Sequence, residues 1–579
     1  MLNFKLKYLL LLFCFISNRI EAQKQLQFSI ISTDNPTVLS SLKYKKILNS
    51  TIQVNRELLS VKMALIKEGY ITANVDSMIN DSSKYTAFLS IGQKYLWAQM
   101  RHASKDAEVI SKLGYSERFF IHKPFNYSEL SKMLNKIIVY YENNGFPFCE
   151  VKLDSVEINN ASISAKLNIT KNEFVKIDSF VVEEREVVKA KFLNRYLGLK
   201  NGMPYNENSF VTISTKLKQL PFLTEKKAAV IRLTDKQNKM YLFVAKKNAS
   251  QFDGILGILP SSTGKTIFTG DIKIKLMNTI FKSGETFDIN FRRLQTQTQD
   301  LKALVSYPYL FGLPIGADYN IKLYKKDTSF IDVNQLVGVH YYFNGLNHVK
   351  AFYKQRNSNL VSVAGLSNVS VLPEYADITT KSYGLATIIE KMDYKFNPHK
   401  GFSFFLQGSV GNRQIRKNPK ISDVAYNGLL LKSTQYQIEG NIAAYLNIIK
   451  NHVIKLSSQF ASLYGNTLYK NELFRIGGLK TLRGFDEESI YASTYVIPTI
   501  EYRFLFEKNS NLFLFAEGAW YENRSSDIYL KDTPIGIGAG INFETKAGIF
   551  NLSYGLGKQL GNNFDFRTGK IHAGLTALF

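Results

Sequence analysis

The sequence predicts an exported two-part protein: three small α+β modules followed by an all-β, 16-stranded transmembrane antiparallel barrel. Three observations predict it. A secretory leader opens the chain. A helix-then-strands order recurs three times between residues 24 and 247, at about 75 residues per copy. From about residue 250 onward, apolar and polar residues alternate with period 2 and no convincing helix interrupts them.

The leader sets the compartment. Lys5 and Lys7 precede the apolar run Tyr8–Ile16, and Ile20-Glu21-Ala22 offers a small-residue cleavage site, so residues 1–22 read as a signal peptide. The bulky Leu11-Leu12-Phe13 before Cys14 argues against lipidation there. Only two cysteines occur in 579 residues, which excludes a disulfide framework and a structural zinc site. Mean hydropathy is −0.13, and no apolar run after the leader is long enough for a spanning helix. A barrel remains open, because its signal is alternation rather than long apolar runs.

Each module is built from one strong helix and a strand pair. Val54–Tyr70 carries Leu58, Val61 and Leu65 at helical spacing and stops at Gly69, before strands at Ile71–Met78 and Tyr85–Ile91. Ser128–Asn143 places Leu130, Met133, Leu134, Ile137 and Ile138 on one stripe, before strands Phe148–Ile158 and Ile163–Ile169. A third copy opens with a strand Val175–Val182, continues to the helix Glu207–Leu220, and closes with strands Ala228–Leu233 and Met240–Ala245. The predicted domains are therefore 23–92, 93–173, 174–248 and a barrel at 249–579.

In the barrel region Ile272, Ile274 and Leu276 alternate with Asp271, Lys273 and Lys275. Ile500, Tyr502 and Phe504 alternate with Glu501 and Arg503 in the same way. One apolar and one polar face is what a closed sheet in lipid needs, since every backbone group must pair. Turn residues divide the region into sixteen strands, beginning near Gln251, Thr266, Glu285, Asp300, Leu313, Ser329, Asn347, Tyr375, Gly401, Leu431, Asn451, Ser493, Asn509, Pro534, Gly548 and Phe566. Tyr and Phe near strand ends would form interfacial girdles. A pair of soluble β-sandwiches is the alternative.

Catalytic signals are poor. Gly264-Lys265-Thr266 resembles the end of a phosphate loop, but Leu259 stands where its first glycine belongs. His340, His348, His399 and His572 are scattered and read as lumen or turn residues. No enzymatic activity, no cofactor and no metal are expected. The sharpest constellation is Gly477-Gly478-Leu479-Lys480-Thr481-Leu482-Arg483-Gly484-Phe485, in a long loop at about 466–492. Paired glycines permit a tight path, and arginine presents a rigid fork beside a ring. Chemistry alone leaves two readings open: a loop folded into the lumen against a wall carboxylate, or a surface loop with a solvated arginine.

This loop resembles the signature of the BamA/TamA superfamily of outer-membrane insertases and two-partner secretion transporters. The 75-residue modules are similar to its periplasmic POTRA domains, with β-α-α-β-β order. The third matches best, through Leu197-Gly198-Leu199-Lys200-Asn201-Gly202-Met203-Pro204. Three modules before a 16-strand barrel most resemble the TamA branch. The resemblance implies that Gly477, Gly478, Leu482, Arg483, Gly484 and Phe485 fold into the lumen. It implies that Arg483 pairs with Glu517, in Phe515-Ala516-Glu517-Gly518, where the family has Asp. Glu517 shares a face with Phe515 and Ala519, which leaves that strand's orientation open. Gly536-Ile537-Gly538-Ala539-Gly540 through Phe550 is similar to the penultimate hairpin, with Lys546-Ala547-Gly548 replacing the usual turn. His572–Phe579 resembles the terminal β-signal, and Gly574, Leu575 and Phe579 would form one side of a lateral seam.

The implied function is insertion or export of β-rich client proteins by strand addition at module edges and at that seam. Expected partners are unfolded outer-membrane or secreted clients, periplasmic or lipoprotein accessory factors, and outer-membrane lipid. The net charge is +25, of which the barrel region supplies +10. Export makes nucleic acid an improbable explanation for it. The expected location is the bacterial outer membrane with the modules in the periplasm. The competing readings are a two-partner secretion transporter for one dedicated protein, a passive pore, and a structural tether.

Overall fold

The computed structural model describes residues 25–579, apart from 33, 82, 185, 235, 261–265, 296–297, 396, 546–547 and 579. The leader expected at residues 1–22, Gly264 and Lys265 of the phosphate-loop fragment, Lys546-Ala547 and Phe579 lie outside the described residues. Two compact units are present: the chain up to Lys176 together with Pro204–Asn208, and Ile177–Met203 together with Ser209–Phe579.

The first unit holds two modules of the same order. In the first, strand Leu26–Ser32 pairs in parallel with Lys84–Ser90, which returns antiparallel to Asn74–Asp81. The helix Thr51–Lys67 starts where Ser50 Oγ accepts the Gln53 N–H at 3.3 Å, and it buries Val54, Leu58, Val61 and Leu65 against the sheet. Each such side chain contributes about 1.5–3 kcal/mol when fully buried. In the second, Leu96–His102 runs parallel to Ser162–Thr170, which returns antiparallel to Glu150–Asn159. Asn126 Oδ1 accepts from the Ser128 and Glu129 N–H groups and starts the helix Tyr127–Glu142. Short helices Pro36–Ser41 and Ala107–Lys112 precede the long ones. The sequence reading misses both, because six residues are too few to display a 3.6-residue period.

The second unit holds the third module and the barrel. Ser179–Val182 is parallel to Lys239–Lys246, which is antiparallel to Leu223–Arg232. The first strand of this module is shorter than the expected 175–182, interrupted at Asp178, whose carboxylate accepts the Asn238 N–H at 2.8 Å. Leu223–Arg232 starts earlier than expected. Its register shifts after Glu225 and after Lys227, and these bulges hide the alternation. Helix Ala190–Leu197 rests on the turns at the near end of the barrel. The Phe192 ring meets Tyr309 edge-on at 5.8 Å between centroids, and the Lys189 N–H donates to the Lys282 carbonyl at 2.7 Å.

Among the described residues the barrel closes with sixteen wall strands, from Gln251–Pro260 to Lys570–Leu578. Strand 13 is Asn511–Gly518, continued as Trp520–Arg524. Strand 14 is Tyr529–Asp532, continued as Ile535–Thr545. The strands form one sheet that closes on itself rather than two packed sheets, so the sandwich alternative is excluded. Ile272, Ile274, Ile289, Ile500 and Leu552 are exposed on the outer face, as lipid requires, while Asp300, Asp318, Asp332 and Arg413 are buried inside. The expected last start near Phe566 is a short turn of 3-10 helix, and the strand begins at Lys570.

Candidate functional site

The loop 466–493 joins wall strand 11 (His452–Gly465) to strand 12 (Thr494–Leu505) and folds into the lumen. Its tip is held by one arginine and two carboxylates. Arg483 Nε donates to Glu517 Oε1 at 2.6 Å, and the Arg483 backbone N–H donates to Glu517 Oε2 at 2.6 Å. Arg483 Nη1 donates to Glu501 Oε2 at 2.8 Å. The other oxygen of Glu501 accepts from Arg503 Nε at 2.7 Å, and Lys455 lies directly across from Glu501 in the sheet. The Phe515 ring centroid is 3.6 Å from the guanidinium carbon of Arg483. A planar cation with five donors can satisfy two acids and a ring at once, which a lysine ammonium cannot do with the same geometry.

This geometry decides the orientation of strand 13. Phe513, Phe515 and Glu517 point into the lumen, while Leu512 and Leu514 are exposed to lipid. Phe515 is the floor under Arg483.

Glycines allow the tip to reach the wall. Gly477 and Gly478 have φ of +111° and +93°, and Thr481 closes the turn by accepting the Gly477 N–H at 2.8 Å. Gly484 has φ +90°, and a Cβ there would meet the Leu556 carbonyl carbon at 2.5 Å. A Cβ on Gly557 would meet the Gly484 oxygen at 2.6 Å, and Gly536 faces the Arg483 carbonyl. The glycine-rich hairpin of strands 14 and 15 is thus the floor on which the loop backbone lies. Leu482 and Phe485 pack into a cluster with Ile476, Ile490, Ile497 and Tyr521.

Two further anchors were not legible in the sequence. Arg413, on strand 9 (Gly401–Ile415), donates to both oxygens of Glu472 in the loop, at 2.8 and 2.7 Å. Gln435 Nε2 and the Tyr469 N–H also donate to that carboxylate, and Asn471 bonds to Ser358 Oγ and the Ala376 carbonyl. Farther along the loop, Glu488 accepts from Arg292 on strand 3 (Thr286–Gln295) at 2.8 Å and from Arg475 at 3.1 Å. Period 2 marks Arg292 and Arg413 as inward, but it is silent on which of many inward charges each one meets.

Among the described residues the seam is the shortest ladder between neighbouring wall strands. Gln251, Phe252, Asp253 and Gly254 pair with Leu578, Ala577, Thr576 and Leu575. Strands 1 and 2 pair over ten residues, from Gln251 to Pro260. Gly574 is the first residue of the last strand with no partner on strand 1, although it still pairs with Asn551 on strand 15. Loop side chains reach both sides: Lys480 Nζ is 3.5 Å from Asp271 on strand 2, and Asp486 is 2.7 Å from Lys570 on strand 16. His340 and His348 face the lumen, where His340 Nε2 is 2.8 Å from Asp318. No cluster of three or more His, Cys, Asp or Glu side chains among the described residues is arranged to hold a metal.

The Omp85 superfamily domain model matches residues 280–572, half of the chain. No curated protein sequence matches it. Among solved structures, the chain is similar to CdiB from Escherichia coli, at 14% identity and TM-score 0.51, covering 91% of this chain and 97% of that one. CdiB from Acinetobacter baumannii follows at 13% identity and TM-score 0.51, with coverage of 84% and 90%. BamA from Haemophilus ducreyi lacking POTRA domains 1–3 aligns at 14% identity and TM-score 0.43, with coverage of 83% and 98%. The chain belongs to the Omp85 superfamily, as a BamA/TamA-like outer-membrane barrel of sixteen strands whose POTRA-like modules lie in the periplasm and whose general work is protein insertion or transport.

Proposed function

We propose that this protein inserts or exports β-rich clients by strand addition at the barrel seam, with its module edges presenting the incoming chain. The seam carries this reading. Four residue pairs close it, against ten or more at most other neighbouring strands, so it is the least costly place for the wall to part. A client strand added there gains a row of main-chain hydrogen bonds, and alternate side chains face lipid. Gly574, at the limit of the ladder, contributes no side-chain packing to hold the strands together. Leu575 supplies an apolar side chain to the same strand. Arg483 acts as a positioning residue: with Glu517 it holds the loop tip against the strand 14–15 hairpin, beside the seam. Nothing in this work makes or breaks a bond in the client, so no catalytic group and no cofactor are assigned.

Partners follow from the chemistry: unfolded outer-membrane or secreted chains with an unpaired strand edge, periplasmic or lipoprotein factors that deliver them, and the surrounding lipid. The test is depletion in the native host, followed by quantification of the outer-membrane and secreted proteomes. Loss of several barrel proteins is expected. Loss of one secreted protein with an intact membrane would replace this reading with a dedicated secretion transporter. No change in either proteome would overturn it in favour of a pore or tether.

A further inference from the structure

A crevice of about 230 Å³ lies between the third module and the periplasmic ends of wall strands 1 and 2. Lys246, Lys247 and Lys282 line it, with Glu186 as its one carboxylate. Among the described residues none of these four side chains is in an ion pair with any other. Thr279 lines the same crevice and buries its hydroxyl oxygen with no hydrogen-bond partner.

The neighbouring turn makes this arrangement specific. Glu285 already takes the N–H groups of Ile280, Phe281 and Ser283, at 2.9, 2.8 and 2.9 Å. That carboxylate is turned into its own loop, forms no ion pair with a lysine among the described residues, and does not line the crevice. Lys282 is held at φ +53°, and its carbonyl is tied to the Lys189 N–H of the module. Burial and the nearby Lys508 both push the Lys247 ammonium below its usual range. Lys246 and Glu186 are exposed at the rim, while Lys247, which also stands 5.3 Å from the Tyr394 ring centroid, and Lys282 are half-buried beside an orphaned hydroxyl, an arrangement that favours a bound counter-charge. The missing group must be anionic, rich in acceptors and small.

We propose that this crevice binds one phosphate group, bridging the third module and the barrel at the foot of the seam. A phosphate offers oxygens to several ammonium groups and accepts from the Thr279 hydroxyl. Two sources carry that chemistry: the headgroup of an anionic phospholipid in the periplasmic leaflet, or a soluble phosphate ester. Ser250 and Met277, which also line the crevice, lie at the strand ends where leaflet headgroups would stand.

Native mass spectrometry of the full chain, released from nanodiscs of mixed phosphatidylcholine and phosphatidylglycerol, tests this. The wild type is expected to keep one phosphatidylglycerol at least about tenfold more often than phosphatidylcholine. Lys247→Gln with Lys282→Gln is expected to bring that preference to within about twofold. Thr279→Val, which leaves every charge in place, should lower it by a few fold. A parallel titration with sn-glycerol 3-phosphate in phosphatidylcholine nanodiscs separates the sources. One molecule retained there, and lost in the double variant, assigns the site to a soluble ester. Equal retention of the two lipids by the wild type, with no glycerol phosphate bound, overturns the proposal. So does an undiminished preference in the folded double variant. The wild-type lipid comparison stands alone if that variant does not fold.

Discussion

Removing the Arg413 guanidinium asks whether the lumen loop has a fixed root. Arg413 is 1% exposed, and it meets both oxygens of Glu472. In Arg413→Met the carboxylate keeps Gln435 Nε2 at 2.9 Å and the Tyr469 N–H at 3.0 Å. Among the described residues it has no other cation in an ion pair, and Arg356 donates to the Glu472 carbonyl rather than to its carboxylate. Breaking a buried pair from one side costs about 3–5 kcal/mol, since a charge is left uncompensated. That free energy raises the population of loop detached from this wall by ~10²–10⁴-fold. The wall ladders are untouched, so the barrel is expected to stay folded and to show heat-modifiable migration in detergent as the wild type does. Limited proteolysis at Lys480, with single-channel recording in planar bilayers, reads the change. Arg413→Met should be cut much faster and show large, frequent conductance steps. Arg413→Met with Glu472→Leu removes both charges and should return to within about 1–2 kcal/mol of the wild type. A single variant that is cut at the wild-type rate would refute the reasoning. So would a double variant no better protected than the single.

Other outcomes are equally direct. Exchanging the charges of Arg483 and Glu517 should restore little, because Glu501, now 2.8 Å from the arginine, would face a new carboxylate at 483; adding Glu501→Gln should recover loop protection in the same proteolysis assay. Gly484→Ala should displace the tip from the strand 15 backbone, at a cost of about 1–3 kcal/mol from the left-handed conformation alone, and expose Lys480 to protease. In the first module, the Ser32 hydroxyl and the Gly92 and Ile91 N–H groups hold the Asp34 carboxyl down to about 2. Its folded value lies below the unfolded one near 3.9, so its stabilisation is complete above about pH 4 and is lost as pH falls through about 2. The ratio of hydrogen-exchange protection between wild type and Asp34→Asn, over the Ile91–Gly92 peptide, should fall toward one across that window. The Cys149 thiol, pushed up to about 11 by burial, should resist maleimide at neutral pH until denaturant is added.

Much of the fold was legible because turns and alternation are local. The expected strand starts at Gln251, Thr266, Asn347, Gly401 and Gly548 coincide with the observed ones, and most others differ by one to three residues. What was lost is equally local in cause. The short helices are below one clear period, and the bulged strand Leu223–Arg232 changes face partway. The site behaves differently. The tip motif stands out by its glycines, but nothing in it specifies a partner. Glu501 is visibly inward, between outward Ile500 and Tyr502, and so are Asp300, Asp332 and Glu439. A polar lumen makes every inward acid look alike. Only the closed wall, with Thr499 opposite Glu517 and Lys455 opposite Glu501, brings the two acids to one arginine.

The anchors also differ in strength, and the difference orders the steps of any seam opening. The Arg413–Glu472 pair is enclosed and reinforced by Asn471, which is fully buried and bonded to Ser358 on the wall and to the Ala376 carbonyl just before the next strand. Arg483 is buried too, yet its acids sit on strands 12 and 13, three or four strands from the seam. By contrast, the contacts that cross toward the seam are Lys480–Asp271 and Asp486–Lys570. Lys480 is 64% exposed and Asp486 is 74% exposed. Exposed pairs of this kind are worth about 0–1 kcal/mol and are screened by salt. If the seam opens as proposed, parting strands 1 and 16 gives up four ladder pairs among the described residues and two weak ion pairs, while the loop stays fixed at its root and at its arginine. A plug that must leave before the seam opens would need the reverse order, with the strong pairs at the seam and the weak ones at the root.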